Sequence, residues 1–145
     1  MFVWERYLDL AKELSGQTEN DGRELNRVPI QEAKLRSAIS RSYYAAFCKA
    51  RNYLRDIEGD KNIPKTGAAH RHVRKKFMES NDRTRKTIGE SLTRLIDSRR
   101  KADYEDVFSG LNPTAKAALI LSETIINNLN NLLNIKASTN NEETR

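Results

Sequence analysis

Residues 112–133 read NPTAKAALILSETIINNLNNLL, and their spacing decides the fold class. Ala115, Ala118, Leu119, Ser122, Ile125, Ile126, Leu129, Leu132 and Leu133 recur at three- and four-residue intervals. That recurrence draws one apolar stripe down an α-helix. Asn112 and Pro113 predict its start: an N-cap side chain, then a proline whose missing N–H costs nothing in the first turn. The following segment KASTNNEETR, 136–145, has no apolar periodicity and is expected to be a disordered tail.

The same reading extends toward the N-terminus. Ile88, Leu92, Leu95 and Ile96 mark a helix that runs to about Tyr104, with Ser80, Asn81 or Asp82 as its N-cap. His70, Val73 and Phe77 mark a shorter helix over 68–79. A long helix is expected over 29–57, opened by Pro29, with Leu35, Ile39, Ser42, Ala46, Ala50, Tyr53 and Ile57 facing inward. Its many alanines allow a neighbouring helix to approach closely. Trp4, Tyr7, Leu8, Ala11 and Leu14 predict a first helix over 2–15. Residues 15–27 and 58–67 are polar and turn-rich, and the first of these is expected to be partly mobile. No segment alternates with a period of two, so no strand is predicted. The expectation is an all-α protein: an antiparallel four-helix bundle with an additional short helix, one domain over 1–135.

Composition fits this. The chain has 145 residues, enough for one domain with a real core, and only three prolines and six glycines interrupt it. Its net charge is +6. Between Lys65 and Lys101 twelve Lys and Arg stand against four Asp and Glu, so positive charge concentrates there. A basic region on a helical domain points toward a polyanion such as nucleic acid, and a solvated charged face is the competing reading. One cysteine, Cys48, excludes an internal disulfide, and its apolar surroundings suit a small core residue. MFVWERYLDL has no signal-peptide pattern, and no stretch is long and apolar enough to span a membrane, so a cytoplasmic protein is expected.

The sequence has no phosphate-binding glycine loop and no H-E-x-x-H pair. His70 and His72 lie two residues apart, on opposite sides of a helix, and are not expected to share a metal ion. His70 alone is open to three roles: a core-edge residue, a phosphate contact or a general acid-base group. The stretch SRRKADY, 98–104, is more informative. Arg99 and Asp103 follow Leu92 and Ile96 by seven residues, which places them beside the apolar stripe and within pairing reach of each other. Such a pair either locks helix packing or lines a cleft where arginine grips phosphate. Arg100 and Lys101 suit a helix C-terminus, and Arg100 and Tyr104 are themselves four apart. On the long helix Arg41, Tyr44 and Cys48 share a face that Arg51 continues. Ser42 and Tyr43 lie nearer the core.

AISRSYYAAFCKARNYL, 38–54, together with RRKADYED, 99–106, resembles the HEPN domain superfamily, and more narrowly its small prokaryotic members. Those proteins pair an A-x-x-R-x-Y-Y-A-x-F helix, here Ala38, Arg41, Tyr43, Tyr44, Ala45 and Phe47, with an R-x-x-A-D-Y helix end, here Arg99, Ala102, Asp103 and Tyr104. PKTGAAHRHV, 64–73, fits a histidine-containing segment found between them. The resemblance covers roughly residues 5–135. It implies a helical bundle, often a homodimer, that acts on RNA as a toxin or defence-type ribonuclease without a metal or other cofactor. It also implies, as the alternative, a non-catalytic partner of a minimal nucleotidyltransferase antitoxin that binds nucleotide or nucleic acid. On that resemblance the candidate catalytic residues are Arg99, Asp103, Tyr104 and His70, and the candidate nucleic-acid contacts are Arg41, Tyr44, Arg100 and Lys101. The nuclease members carry R-x(4–6)-H. Here no histidine follows Arg99 or Arg100, and Asp103 and Tyr104 stand in its place.

Overall fold

The computed structural model describes residues 2–16 and 28–144. The expected connection over 15–27 therefore falls mostly outside the described residues. Among the described residues five helices follow in order: α1 Glu5–Leu14, α2 Val28–Asp56, α3 Ala68–Met78, α4 Arg83–Tyr104 and α5 Leu111–Glu143. Among the described residues there is no strand. The architecture is all-α: α1, α2, α4 and α5 form a four-helix bundle, and α3 is the additional short helix.

Cross-helix contacts fix the helix directions. Arg36, early on α2, reaches the carbonyls at the end of α4, and Lys49, late on α2, pairs with Glu5 at the start of α1. Both α1 and α4 therefore run antiparallel to α2. Tyr53 near the end of α2 lies against Lys136 near the end of α5, so these two helices run parallel.

The reason α2 is central is visible in its sequence. Ala38, Ala45, Ala46 and Ala50 are all buried and leave room for partners on several sides, and α2 touches each of the other four helices. Against α5 the approach is set by two serines. Ser122 Oγ donates to the Ser42 carbonyl at 2.8 Å, and Ser42 Oγ donates to the Ala38 carbonyl at 2.8 Å, so both buried hydroxyls are satisfied. Leu8 and Ala11 of α1 pack on Ala38 and Ala45 of α2 and on Leu119 and Ile126 of α5. Ile88, Leu92, Leu95 and Ile96 of α4 are buried as their periodicity requires.

Among the three N-cap candidates of α4, Asp82 is the cap: its Oδ1 accepts from the Arg85 N–H at 2.8 Å. The start of α5 differs from expectation. Asn112 is not the N-cap. Gly110 takes that place in the left-handed region, φ 73°, with Thr114 N–H and Oγ1 both donating to its carbonyl. A glycine turns the chain sharply after Phe108 and lets the helix begin two residues early, leaving Pro113 still inside the first turn where no N–H is needed. Ile57, expected inward, is 42% exposed just past the end of α2. Residues 136–143, expected as a disordered tail, continue α5 with every side chain exposed. Extending an established helix costs far less than nucleating one, so a polar tail with no apolar face still propagates.

Candidate functional site

The face that Arg41, Tyr44, Cys48 and Arg51 share on α2 is not covered by a helix. It forms the floor of a cleft of about 750 Å³. Trp4, the N-cap of α1, and Tyr7 of that helix make one wall. Ile63, Pro64, Lys65 and Thr66 from the α2–α3 connection, with His70 of α3, make the other. Among the described residues four cations line it (Arg41, Arg51, Arg55 and Lys65) and no carboxylate does. Aromatic rings interleave with the guanidinium groups: Arg41 sits 4.9 Å from the Tyr7 ring centre, and Arg51 lies 5.6 Å from Trp4 and 5.9 Å from Phe47. Stacked guanidinium groups keep their charge while losing freedom, which readies them for an anion.

Tyr44 joins this cleft to the end of α4. Its ring lines the cleft, and the Arg99 guanidinium lies 5.3 Å from its centre. Arg99 Nε donates to Asp103 Oδ2 at 2.9 Å, and both side chains are partly exposed, 18% and 27%. The pair is therefore formed as the i,i+4 spacing requires, but it is not sealed in the core. Arg36 holds this helix end in place: its guanidinium donates to the carbonyls of Ala102 at 2.9 Å, Glu105 at 2.6 Å and Asp106 at 3.2 Å, and it pairs with Glu32. These are carbonyls that a helix C-terminus leaves without partners, so a cation from α2 closes α4.

His70 is brought to the same place. Its ring stacks on Phe47 at 4.2 Å, meets Tyr44 edge-on at 6.1 Å, and its Nδ1 lies 2.5 Å from the Tyr43 hydroxyl. Burial, then the positive charges of Arg99, Arg74, Arg100 and Arg51, hold its imidazole below the ordinary histidine pKa. Burial drives the Tyr43 phenol far above its usual range, and it also pushes up the Cys48 thiol, against the pull of Arg51. Cys48 is thus an unreactive floor residue. His72 faces away and pairs with Asp60 at 2.7 Å.

The lowered His70 pKa has a stability consequence. The unfolded chain takes up a proton near pH 6.5 that the folded chain resists, so stability falls as pH drops through 6.5 toward the folded pKa. Thermal midpoints measured between pH 7.5 and 5.5 should decline, and His70→Gln should flatten the decline. An unchanged slope in the variant would show that His70 is not the group responsible.

Not every expected site residue joins this cleft. Arg41, Tyr44 and His70 line it, Arg99 borders it across Tyr44, and Asp103, paired with Arg99, lines a separate shallow hollow with Arg36 and Asp106. Arg100, Lys101 and Tyr104 turn away and line a separate shallow hollow with Asp97 and Glu105. Tyr104 is 75% exposed, 5.9 Å from Arg99, and Arg100 lies 3.8 Å from Asp97. The concentration of positive charge over 65–101 is a poor guide to the cleft. Of those twelve cations Lys65 lines it and Arg99 borders it, while Arg41, Arg51 and Arg55 come from α2. Sequence reasoning did not single out Trp4, Tyr7, Arg55, Lys65 or Arg36 for the site. Their roles depend on how α1, α2 and α4 meet, and single-helix periodicity carries no trace of that.

No family model matches the chain, and no solved structure matches it. An uncharacterized protein of the archaeon Methanocaldococcus jannaschii is 30% identical over 113 residues, covering 66% of this chain and 64% of that protein. The chain thus spans a little under two thirds of this relative's length. No helix among the described residues is long and apolar enough to cross a membrane.

Proposed function

We propose that this chain is a cytoplasmic HEPN-type protein that acts on RNA, as a toxin or defence-type ribonuclease component that needs no metal. The observation that carries the reading is the cleft itself: among the described residues four cations and interleaved aromatics line it and no carboxylate does, and Tyr44 joins it to Arg99. Aromatic faces accept unstacked bases and guanidinium groups accept phosphates, the combination single-stranded RNA requires. In the reaction, the 2′-oxygen attacks the adjacent phosphorus, the bond to the 5′-oxygen breaks and that oxygen takes a proton from water, leaving a cyclic phosphate and a 5′-hydroxyl. Arg99 steadies the charge that builds on the phosphate, and Asp103 beside it takes the 2′-hydroxyl proton. A homodimer would set two such clefts together.

RNA binding tests the reading. A short single-stranded RNA should bind in the presence of EDTA, with affinity falling steeply as salt rises. Reversing two cleft charges, Arg41→Glu with Arg51→Glu, should weaken binding about 100-fold, each lost phosphate contact being worth roughly 1–2 kcal/mol. The same affinity in the double variant, with an unchanged melting curve, would remove the cleft from the account.

A second reading is the non-catalytic partner of a minimal nucleotidyltransferase, and the exposure of Tyr104 favours it. A phenol held outward at a basic helix end is open to an enzyme that transfers a nucleotide. Co-expression with such a partner should add nucleotide mass at Tyr104, and an unchanged intact mass would count against this reading.

A further inference from the structure

Tyr43 is fully buried, and among the described residues its hydroxyl has one hydrogen-bond partner, Nδ1 of His70 at 2.5 Å. A phenol has one proton to give, and an orphaned buried donor is costly. If Nδ1 carried the hydrogen and the phenol oxygen accepted it, the buried phenol proton would have no acceptor among the described residues. The hydroxyl must therefore donate to Nδ1. A neutral imidazole whose Nδ1 lone pair is used in this way bears its hydrogen on Nε2.

The ring is also fixed in place. Phe47 stacks on one face at 4.2 Å, and Tyr44 meets it edge-on at 6.1 Å. Arg99, Arg74, Arg100 and Arg51 surround it with positive charge, and all of them disfavour an added proton. His70 lines the cleft, so with Nδ1 engaged by Tyr43 the nitrogen left for a ligand is Nε2.

We propose that His70 presents a neutral Nε2–H to the cleft and donates it to an anionic phosphate oxygen, with Tyr43 as the positioning residue that sets this tautomer. The phosphate half rests on the reading of the cleft as an RNA site; the tautomer half stands without it. This role excludes His70 as the base in strand cleavage, because the nitrogen available to substrate already carries a proton. It is the phosphate contact among the three roles the sequence leaves open.

The test uses the full chain labelled with ¹⁵N, with His72→Gln to assign the two imidazoles. At pH 7 the long-range proton–nitrogen spectrum of His70 should show an unprotonated Nδ1 and a protonated Nε2. An Nδ1–H tautomer, or an imidazolium, overturns the proposal. Tyr43→Phe should lower the Nε2–H fraction toward that of a free neutral imidazole. Single-stranded RNA, and separately inorganic phosphate, should then shift the Nε2 signal. His70→Gln, which keeps an N–H donor, should retain RNA affinity within about threefold, while His70→Ala should lose about tenfold, the worth of one hydrogen bond to a charged oxygen. RNA that binds without moving Nε2 overturns the phosphate contact alone. RNA that does not bind at all overturns the contact together with the reading of the cleft, and leaves the tautomer result to be judged by the ligand-free spectrum.

Discussion

Arg99→Ala is expected to lower metal-independent RNA cleavage by about 100-fold or more, the loss seen when a charge-stabilising donor is removed from a transition state. Arg99 borders the cleft through Tyr44 and holds Asp103 by one 2.9 Å bond, which leaves guanidinium N–H groups for a phosphate. The fold should hardly notice. Both partners of the pair are partly exposed, and such pairs contribute about 0–1 kcal/mol. The variant's melting curve should therefore overlay that of wild type while cleavage is lost. Arg99→Lys should recover little, because an ammonium keeps the charge and not the planar fork. Equal cleavage by wild type and Arg99→Ala would sink the assignment.

Gly89→Ala is expected to destabilise the fold strongly, against the usual helix preference for alanine. A Cβ at Gly89 would lie 2.7 Å from the Met78 backbone nitrogen and 2.8 Å from Met78 Cγ. The end of α3 packs directly on this point of α4, and a backbone atom cannot swing aside as a side chain can. Relief requires α3 to move as a unit, carrying Val73 and Phe77 out of the core and displacing His70 from Phe47. Overpacking of this kind costs about 1–3 kcal/mol, or roughly 3–10 °C in the thermal midpoint for a chain this long. Alanine's intrinsic helix advantage of about 1 kcal/mol acts only in part against it. A variant as stable as wild type would mean that the α3–α4 contact is looser than described.

Gly89 also shows where sequence reading ends. Ile88, Leu92, Leu95 and Ile96 announce α4 and its inner face by spacing alone, because helix periodicity is a local property. A glycine amid them looks like a blemish until α3 is laid across it. The start of α5 was misplaced for a related reason: Asn112-Pro113 is a sound local signal, but Gly110 offers a left-handed turn that lets the helix begin earlier. For the site, spacing put Arg41, Tyr44, Cys48 and Arg51 on one face and paired Arg99 with Asp103, and both are found so. The family resemblance grouped Arg100, Lys101 and Tyr104 with them, whereas the helix turns these three to another side. The walls supplied by Trp4, Tyr7 and Lys65 exist only once distant segments meet, and the Arg36 clamp on α4 joins residues more than sixty positions apart.

The central claim is that RNA lies in the cleft between α1, α2 and the α2–α3 connection. The most direct measurement is a titration of the ¹⁵N-labelled chain with a short single-stranded RNA in EDTA, following side-chain signals. The account predicts shifts at Arg51 Nε, Arg99 Nε and the Trp4 indole, with Arg71, Lys75 and Lys76 on the outer face of α3 unmoved. Shifts confined to those α3 cations, or none at saturating RNA, would contradict it.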